Sequence, residues 1–362
     1  MDTTLLEYKC PSCGGALSFD SGTQNMKCPY CDSELDVAAL KQLDEALNQP
    51  QQDQMEWQSP EGSHWSEEEQ GSFTQFVCKS CGGEIICQDT TAAAHCPYCD
   101  NPVVMVGRLS GILRPDLVIP FKQDKEAAKN ALKKHLTGKR LLPKVFKDEN
   151  RIEAIQGIYV PFWLYDATAN ADLHYRATRT HVWSDSRYIY TQTSHYAIHR
   201  AGTIGFTGVP ADGSRKMEDA LMESIEPYDL SQAVDFQTAY LAGYLADKYD
   251  VTAEENTPRI NQRIRNTTEN TFRSTVMDYQ TCVPAGGSVR LTENVIRYAL
   301  LPVWILTTKY KGEKYTFAMN GQTGKFVGNL PLDWGKFWGW FTGVSLTVGG
   351  LCFGLGKLLG IL

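Results

Sequence analysis

Positive charge is scarce in the first 108 residues of this 362-residue chain, where five lysines and arginines stand against seventeen aspartates and glutamates. The balance there is −12, and because the whole chain carries −7, the remaining residues carry about +5. Nucleic-acid-binding modules present lysine and arginine to phosphate groups. The acidic N-terminal part therefore argues against a nucleic-acid-binding function.

The chain also lacks the signatures of several enzyme classes. It contains no H-E-x-x-H, G-x-S-x-G, EF-hand or P-loop motif. Residues 321–325 (GQTGK) are not a P-loop, since the glycines lie too close together and Phe326 replaces the required serine or threonine. His195 and His199 could share a sheet face, but no third metal ligand is evident. We expect no catalytic residues and a protein that is not an enzyme.

An export signal is missing as well, since the N-terminus has neither a basic nor an apolar signal-peptide region. Disulfides require an oxidising compartment. We therefore expect the eleven cysteines to be reduced and the bulk of the chain to be cytosolic.

What the sequence does contain is a cysteine motif that occurs twice, 68 residues apart at all four positions. Each copy reads C-x2-C-x14-C-x2-C, and each C-x2-C pair directs two thiolates at one point. Two pairs complete a tetrahedral set of four sulfurs, which suits zinc, although the spacing fits iron equally well. The expected ligands are Cys10, Cys13, Cys28 and Cys31 in the first copy and Cys78, Cys81, Cys96 and Cys99 in the second.

Four thiolates leave no open coordination position, so both sites are expected to be structural rather than catalytic. About thirty residues bury too little apolar surface to fold alone, and zinc contributes on the order of 10 kcal/mol per site. We predict two zinc ribbons with two structural Zn²⁺ ions. Cys87 corresponds to Phe19 of the first copy and is expected to fill a core position.

The pattern predicts an α+β fold in five segments. These are zinc ribbon 1 in residues 1–36, a short helix and acidic flexible linker in 37–75, zinc ribbon 2 in 76–108, a mixed helix and antiparallel-sheet domain in 109–330, and a C-terminal membrane anchor in 331–362. Trp57 and Trp65 either dock on a neighbouring domain or form a partner-binding peptide.

The α+β domain shows signs of duplication. Residues 160–164 (VPFWL) match residues 301–305 (LPVWI) at an offset of 141, and each opens a run of strands. Apolar spacing predicts helices over residues 125–136, 215–225, 229–249 and 252–277. A hairpin is expected at Asn320-Gly321.

Residues 337–356 contain no charge and would span about 30 Å as a helix, with Trp334, Trp338 and Trp340 clustered at the start. The stretch favours a transmembrane helix over a buried helix or hairpin of the folded domain. Small residues on one face allow close helix approach in lipid. They predict pairing with another membrane helix through Gly339, Gly343, Gly350 and Gly354.

The chain resembles a bacterial family of membrane-associated proteins with paired zinc ribbons of the transcription-factor type. The segments that carry the resemblance are CPSCGG, CPYC, CKSCGG, CPYCDNPVV, PFWLYD, AYLAGYLADKYD and NGQTGK. The resemblance covers most of the length. It implies recruitment at the membrane, since similar proteins are encoded beside SPFH-domain and phage-shock-type proteins. It implies no catalytic residues.

The sequence therefore predicts a non-enzymatic, tail-anchored adaptor or scaffold that recruits protein partners at the cytosolic face of the bacterial cell membrane. The alternative is a nucleic-acid-binding zinc-ribbon protein.

Overall fold

A computed structural model describes residues 8–47, 52–60, 64–88, 95–108 and 113–358. Within these ranges seven α-helices form: α1 Val37–Leu47, α2 Glu67–Gly71, α3 Lys125–Leu136, α4 Glu149–Glu153, α5 Asp219–Ile225, α6 Ala253–Ser274 and α7 Trp334–Leu358.

The same ranges contain fourteen strands, three of them longer than twenty residues. They are β1 Ser18–Asp20, β2 Asn25–Lys27, β3 Glu34–Leu35, β4 Phe73–Val77, β5 Glu84–Gln88, β6 Val104–Arg108, β7 Leu117–Val118, β8 Gln156–Ser184, β9 Ile189–Asp212, β10 Val234–Asp235, β11 Leu245–Asp247, β12 Thr281–Tyr310, β13 Glu313–Asn320 and β14 Phe326–Gly328.

The chain divides into two compact units, each built from three separate segments. The first comprises Met1–Gln58, Tyr165–Val209 and Asn256–Val295, and the second comprises Ser59–Leu164, Pro210–Glu255 and Ile296–Leu362. The five consecutive segments expected from the sequence differ from these units, and their boundaries stay predictions.

The first unit contains the first cysteine motif on an antiparallel β1-β2-β3 sheet, followed by α1. This unit also contains parts of β8, β9 and β12, together with most of α6. The Tyr175 hydroxyl of β8 donates to the carbonyl of Glu269 of α6 at 2.8 Å. The Trp57 indole donates to Asn261 at 2.7 Å and meets the Tyr165 ring edge-on. Of the two alternatives for Trp57, the structure shows docking.

The second unit contains a mixed sheet in the order β10-β7-β12-β8-β11-β5-β4-β6, with β13 and β14 added beside β12. Helix α3 has the predicted bounds, and its apolar stripe of Ala128, Leu132 and Leu136 is buried. The predicted β13–β14 hairpin also forms, but its turn extends beyond Asn320-Gly321, because the amide of Asn320 donates to the carbonyl of Lys325 at 2.9 Å. Trp65 is buried between the rings of Phe73 and Phe236.

The two segments matched at an offset of 141 make equivalent contacts in the second unit. The carbonyl of Pro161 accepts a hydrogen bond from the amide of Gly213 at 2.9 Å, and the carbonyl of Pro302 accepts one from Gly321 at 2.8 Å. Each glycine stands directly after the end of a strand, β9 in the first case and β13 in the second. The hairpins that begin with the two matched segments therefore end in the same way.

The tryptophans of these segments also correspond. Trp163 donates its indole N–H to the carbonyl of Val251 at 2.8 Å, and Trp304 donates to that of Gln123 at 2.8 Å. Val251 lies six residues after the start of β11 and two residues before α6. Gln123 lies six residues after the start of β7 and two residues before α3. One repeat consists of β7, α3 and the β8–β9 hairpin, and the other consists of β11, α6 and the β12–β13 hairpin. The short strand of each repeat runs parallel to the long strand of the other, so that β11 pairs with β8 and β7 pairs with β12. These contacts support duplication of a strand–helix–hairpin repeat.

The helix predicted over residues 229–249 is wrong. That stretch forms short 3-10 helices at Leu230–Gln232 and Thr238–Leu241, then strand β11. Gly243 has φ +80°, a conformation that ends a helix. Strand β11 then pairs with both β8 and β5, which local apolar spacing does not reveal.

The predicted C-terminal membrane anchor is wrong. Residues 334–358 do form a helix, but no helix in the described part of the chain combines the length and apolarity needed to cross a membrane. The physical reason is composition, because glycine, serine and threonine interrupt the apolar residues of α7. The predicted single-pass membrane localisation is therefore wrong as well.

The first turns of α7 contact the rest of the second unit. The ammonium of Lys336 donates to the carbonyl of Leu142 at 2.5 Å, and the Arg140 guanidinium lies 5.6 Å from the ring centre of Trp340. A Cβ added at Gly339, Gly343 or Gly350 would meet nothing within 4 Å. The side-chain environment at Gly354 is outside the described part, and helix pairing through the four glycines stays a prediction.

Candidate metal centres

The fold brings the eight predicted cysteines together as two groups of four. In each group the four sulfurs lie within 4.8 Å of one another. The Sγ–Sγ distances are 3.7 Å for Cys10–Cys31 and 3.5 Å for Cys13–Cys28 in the first group. In the second group they are 3.5 Å for Cys78–Cys99 and 3.6 Å for Cys81–Cys96.

These distances match a tetrahedral metal–thiolate shell. With Zn–S bonds of about 2.3 Å, neighbouring sulfurs of a tetrahedron lie about 3.8 Å apart. Both groups therefore have the ligand type, number and spacing of a structural zinc centre. The two four-cysteine clusters fit zinc ribbons, and each could hold one zinc ion.

Four backbone turns place the sulfurs, and all four have the same hydrogen bonds. In each turn the first cysteine's amide donates to the carbonyl five residues on, and its carbonyl accepts from the amide four residues on, with distances of 2.7–3.0 Å. The residue four positions on has a positive φ in every turn. These residues are Gly14, Asp32, Gly82 and Asp100.

The fourth cysteine of each motif accepts a hydrogen bond from a nearby polar side chain. The Ser33 hydroxyl lies 3.1 Å from the sulfur of Cys31, and Asn101 donates to that of Cys99 at 3.3 Å. The Ser33 hydrogen bond lowers the pKa of the Cys31 thiol to about 6. Burial opposes ionisation of Cys99, but hydrogen bonds from the Asn101 backbone and from Cys78 lower its pKa to about 7. Both favour the thiolate that binds metal.

A tyrosine between the third and fourth cysteines covers a glycine in each ribbon. A Cβ at Gly15 would lie 2.5 Å from the Tyr30 ring, and a Cβ at Gly83 would lie 3.2 Å from the Tyr98 ring. The C-G-G and C-P-Y-C segments therefore pack against each other. Sequence reasoning recognised both segments but missed this contact.

The two ribbons differ in what surrounds these shared parts. Tyr30 is 75% exposed and Phe19 is 54% exposed, whereas their counterparts Tyr98 and Cys87 are 1% and 0% exposed. As predicted, Cys87 fills a core position.

The second ribbon is built into the large sheet. Its strand β5 pairs with both β4 and β11, and β4 pairs with β6. The Thr307 hydroxyl donates to the carbonyl of Pro97, next to Cys96, at 3.0 Å. Beside Ile85, the buried carboxylate of Asp247 accepts from the Ser214 hydroxyl at 2.5 Å. The second cluster is therefore part of a hydrophobic core.

The first ribbon contacts strand β9 of the first unit. Ser12, between its first two cysteines, lies 3.0 Å from His195 of β9 through its hydroxyl. Cys13 and Cys31 are exposed. Its described residues, 8–36, carry two lysines and four carboxylates, so the exposed surface is acidic.

Comparison with known proteins gives one full-length relative. The chain is 35% identical over 342 residues to the uncharacterized protein YdjG of Bacillus subtilis (strain 168), covering 94% of each protein. No family model matches the chain. No solved structure matches it either.

Proposed function

The chain belongs to the family of the Bacillus subtilis protein YdjG, and we propose that it is a non-enzymatic adaptor whose first zinc ribbon binds a protein partner. In this proposal the second ribbon is a structural part of the sheet that carries the adaptor. Both centres hold Zn²⁺ through four thiolates, and neither performs chemistry.

The observation that carries the proposal is the opposite exposure of equivalent aromatic positions. Burying an aromatic side chain is strongly favourable, and tyrosine is enriched where proteins bind one another. Tyr30 stands in a backbone turn held by metal ligands on both sides, so its ring is presented with little conformational freedom. The second ribbon uses the same position to fill a core.

The charge of the first ribbon supports a protein partner over a nucleic acid. An acidic surface repels phosphate and attracts a basic or mixed protein surface. The alternative of a nucleic-acid-binding ribbon would require basic side chains around Tyr30. Lys9 and Lys27 are the two basic residues in residues 8–36, and Lys27 pairs with Glu34.

The family resemblance described above makes SPFH-type and phage-shock-type proteins the first partners to test. The likeness to YdjG carries no information about them.

The test is a crosslinked pull-down with the full chain, the Tyr30→Ala variant and a nuclease-treated sample. Tyr188→Ala is the matched control, because Tyr188 is also an exposed tyrosine, 64% accessible, but lies outside both ribbons. We expect a protein that is captured by the wild type and the control, lost with Tyr30→Ala, and bound again when purified. The proposal would be contradicted if Tyr30→Ala captured the same proteins as the wild type, or if the wild type recovered nuclease-sensitive nucleic acid.

A further inference from the structure

A third group of metal-binding side chains lies in the first unit, away from the cysteines. Asp172 and His174 are two residues apart on β8, so their side chains point to the same face. His199 stands on β9, which pairs with β8. The donor atoms of the three side chains lie within 4.8 Å of one another.

The strand register explains why His199 meets His174. Asn170 accepts a hydrogen bond from Thr203, and these residues lie four positions before His174 and four after His199. A regular two-stranded ladder therefore places the two histidines opposite each other. Their rings stack with centroids 5.0 Å apart and an interplanar angle of 26°.

The carboxylate of Asp172 approaches the Nε2 atoms of both imidazoles. Its Oδ1 is 2.7 Å from Nε2 of His199 and 3.7 Å from Nε2 of His174. Two imidazole nitrogens and one carboxylate oxygen are a ligand set for zinc and other divalent first-row transition ions.

A separate observation points to a missing ligand. His174 is only 8% exposed, and its Nε2 atom is buried without a hydrogen-bond partner. Leaving a buried polar atom unsatisfied costs about 1–3 kcal/mol. A metal ion bound to this nitrogen would satisfy it, whereas the hydrogen bond between Asp172 and His199 does not.

The backbone holds this cluster in place and leaves it accessible. At Gly287, which has φ +108°, a Cβ would lie 2.2 Å from the carbonyl oxygen of Asp172, so β12 approaches closely there. Arg200 donates to the carbonyl of His199 at 2.9 Å. The cluster opens into a depression of about 340 Å³, lined by Ala46, Asp172, His174, Ala197, Ile198 and His199.

We propose that Asp172, His174 and His199 form a third metal site, specific for a divalent first-row transition ion and occupied by Zn²⁺. Three protein ligands leave at least one coordination position open toward the depression, where water or another donor binds. This open position distinguishes the site from the two closed four-cysteine centres, and it does not depend on the proposed adaptor function.

The test measures metal content and affinity on the full chain with both four-cysteine centres first loaded with zinc. Calorimetric titration with Zn²⁺ should then show one further ion per wild-type chain, and Co²⁺ should add a spectrum without intense thiolate charge-transfer bands. His199→Ala should abolish this binding and leave the thiolate-bound metal unchanged. His195→Ala is the matched control, because His195 also lies on β9 but contacts Ser12 instead. It should keep the third ion.

Two outcomes would overturn the site. One is a wild type that takes up no further zinc, and the other is a third ion retained in His199→Ala. His174→Gln, which keeps a polar side chain of similar length, provides a second variant if His199→Ala changes the circular dichroism of the protein. It should lose the third ion as well.

Discussion

The two ribbons share one cysteine spacing, one set of turn hydrogen bonds and one tyrosine–glycine contact, yet they occupy different surroundings. The second pairs with strands of a large sheet and buries Tyr98, while the first exposes Tyr30 at the equivalent position. The metal-binding turns therefore do not require either environment. The difference shows that one module can serve as a core element and its duplicate as an exposed surface.

The largest expected difference between the ribbons is the loss of stability when one cysteine ligand is replaced. Structural zinc contributes on the order of 10 kcal/mol, which is comparable with the whole stability of a domain. Cys96→Ser should lose one zinc and unfold the second unit, since Cys96 is buried in its core. Cys28→Ser, the equivalent change, should lose one zinc and unfold mainly the first ribbon.

Zinc analysis together with limited proteolysis and thermal unfolding measures this contrast. Equal losses of stability and the same protease-sensitive fragments in both variants would show that the two ribbons support the fold to the same extent.

Truncating the equivalent tyrosines should give the next largest difference. Replacing a large buried aromatic side chain by alanine costs about 3–5 kcal/mol, whereas exposed positions change stability by about 0.5 kcal/mol or less. Tyr98→Ala should therefore lower the free energy of unfolding far more than Tyr30→Ala. Urea unfolding measures both values, and a loss above about 2 kcal/mol for Tyr30→Ala would show that its ring supports the fold.

A buried carboxylate beside the second ribbon provides a pH-dependent comparison. Burial raises the pKa of Asp247 to about 6, while the Ser214 hydrogen bond opposes the shift. In the unfolded chain the pKa is about 4. Because the folded protein holds the proton more tightly, Asp247 favours folding below pH 4 and loses that contribution as the pH rises through 6. The loss is about 3 kcal/mol.

Asp247→Asn should remove this pH dependence, since the amide has nearly the same shape as the carboxyl group and does not ionise. The difference in unfolding free energy between variant and wild type should therefore shift in favour of the variant between about pH 4 and 6. Zinc release at low pH affects both proteins and cancels in that difference. Asp235→Asn, at an exposed carboxylate, is the control and should show no such shift.

Local features of the fold could be predicted from the sequence. The cysteine turns, the α3 stripe and the β13–β14 hairpin depend on residues close together in the chain, so spacing and turn chemistry were sufficient. The helix predicted over residues 229–249 failed because β11 is set by pairing with β8 and β5. The tail failed because an uncharged stretch is not necessarily an apolar one.

The third metal group shows the same limit at the level of a site. In the sequence, His199 has His195 four residues away and no evident third ligand. In the structure the partners of His199 come from β8, about 25 residues earlier, and the histidine four residues away is not among them. Folding the chain back about the turn at residues 185–188 would have placed His174 opposite His199, so hairpin register was the missing signal.

The smallest expected effect concerns the hydrogen bonds to the fourth cysteine of each motif. Removing a hydrogen bond to a metal ligand commonly lowers metal affinity by roughly tenfold or more. Because Cys99 is buried, water cannot replace Asn101, and Asn101→Ala should weaken zinc binding at the second centre roughly tenfold. Cys31 is exposed, so water should partly replace the Ser33 hydroxyl, and Ser33→Ala should lower affinity by roughly threefold. Competition with a chelator measures both affinities, and Ser33→Thr should restore the wild-type value. A larger loss for Ser33→Ala than for Asn101→Ala would mean that water does not reach the first centre, and the contrast between an exposed and a buried ribbon would then not extend to the metal.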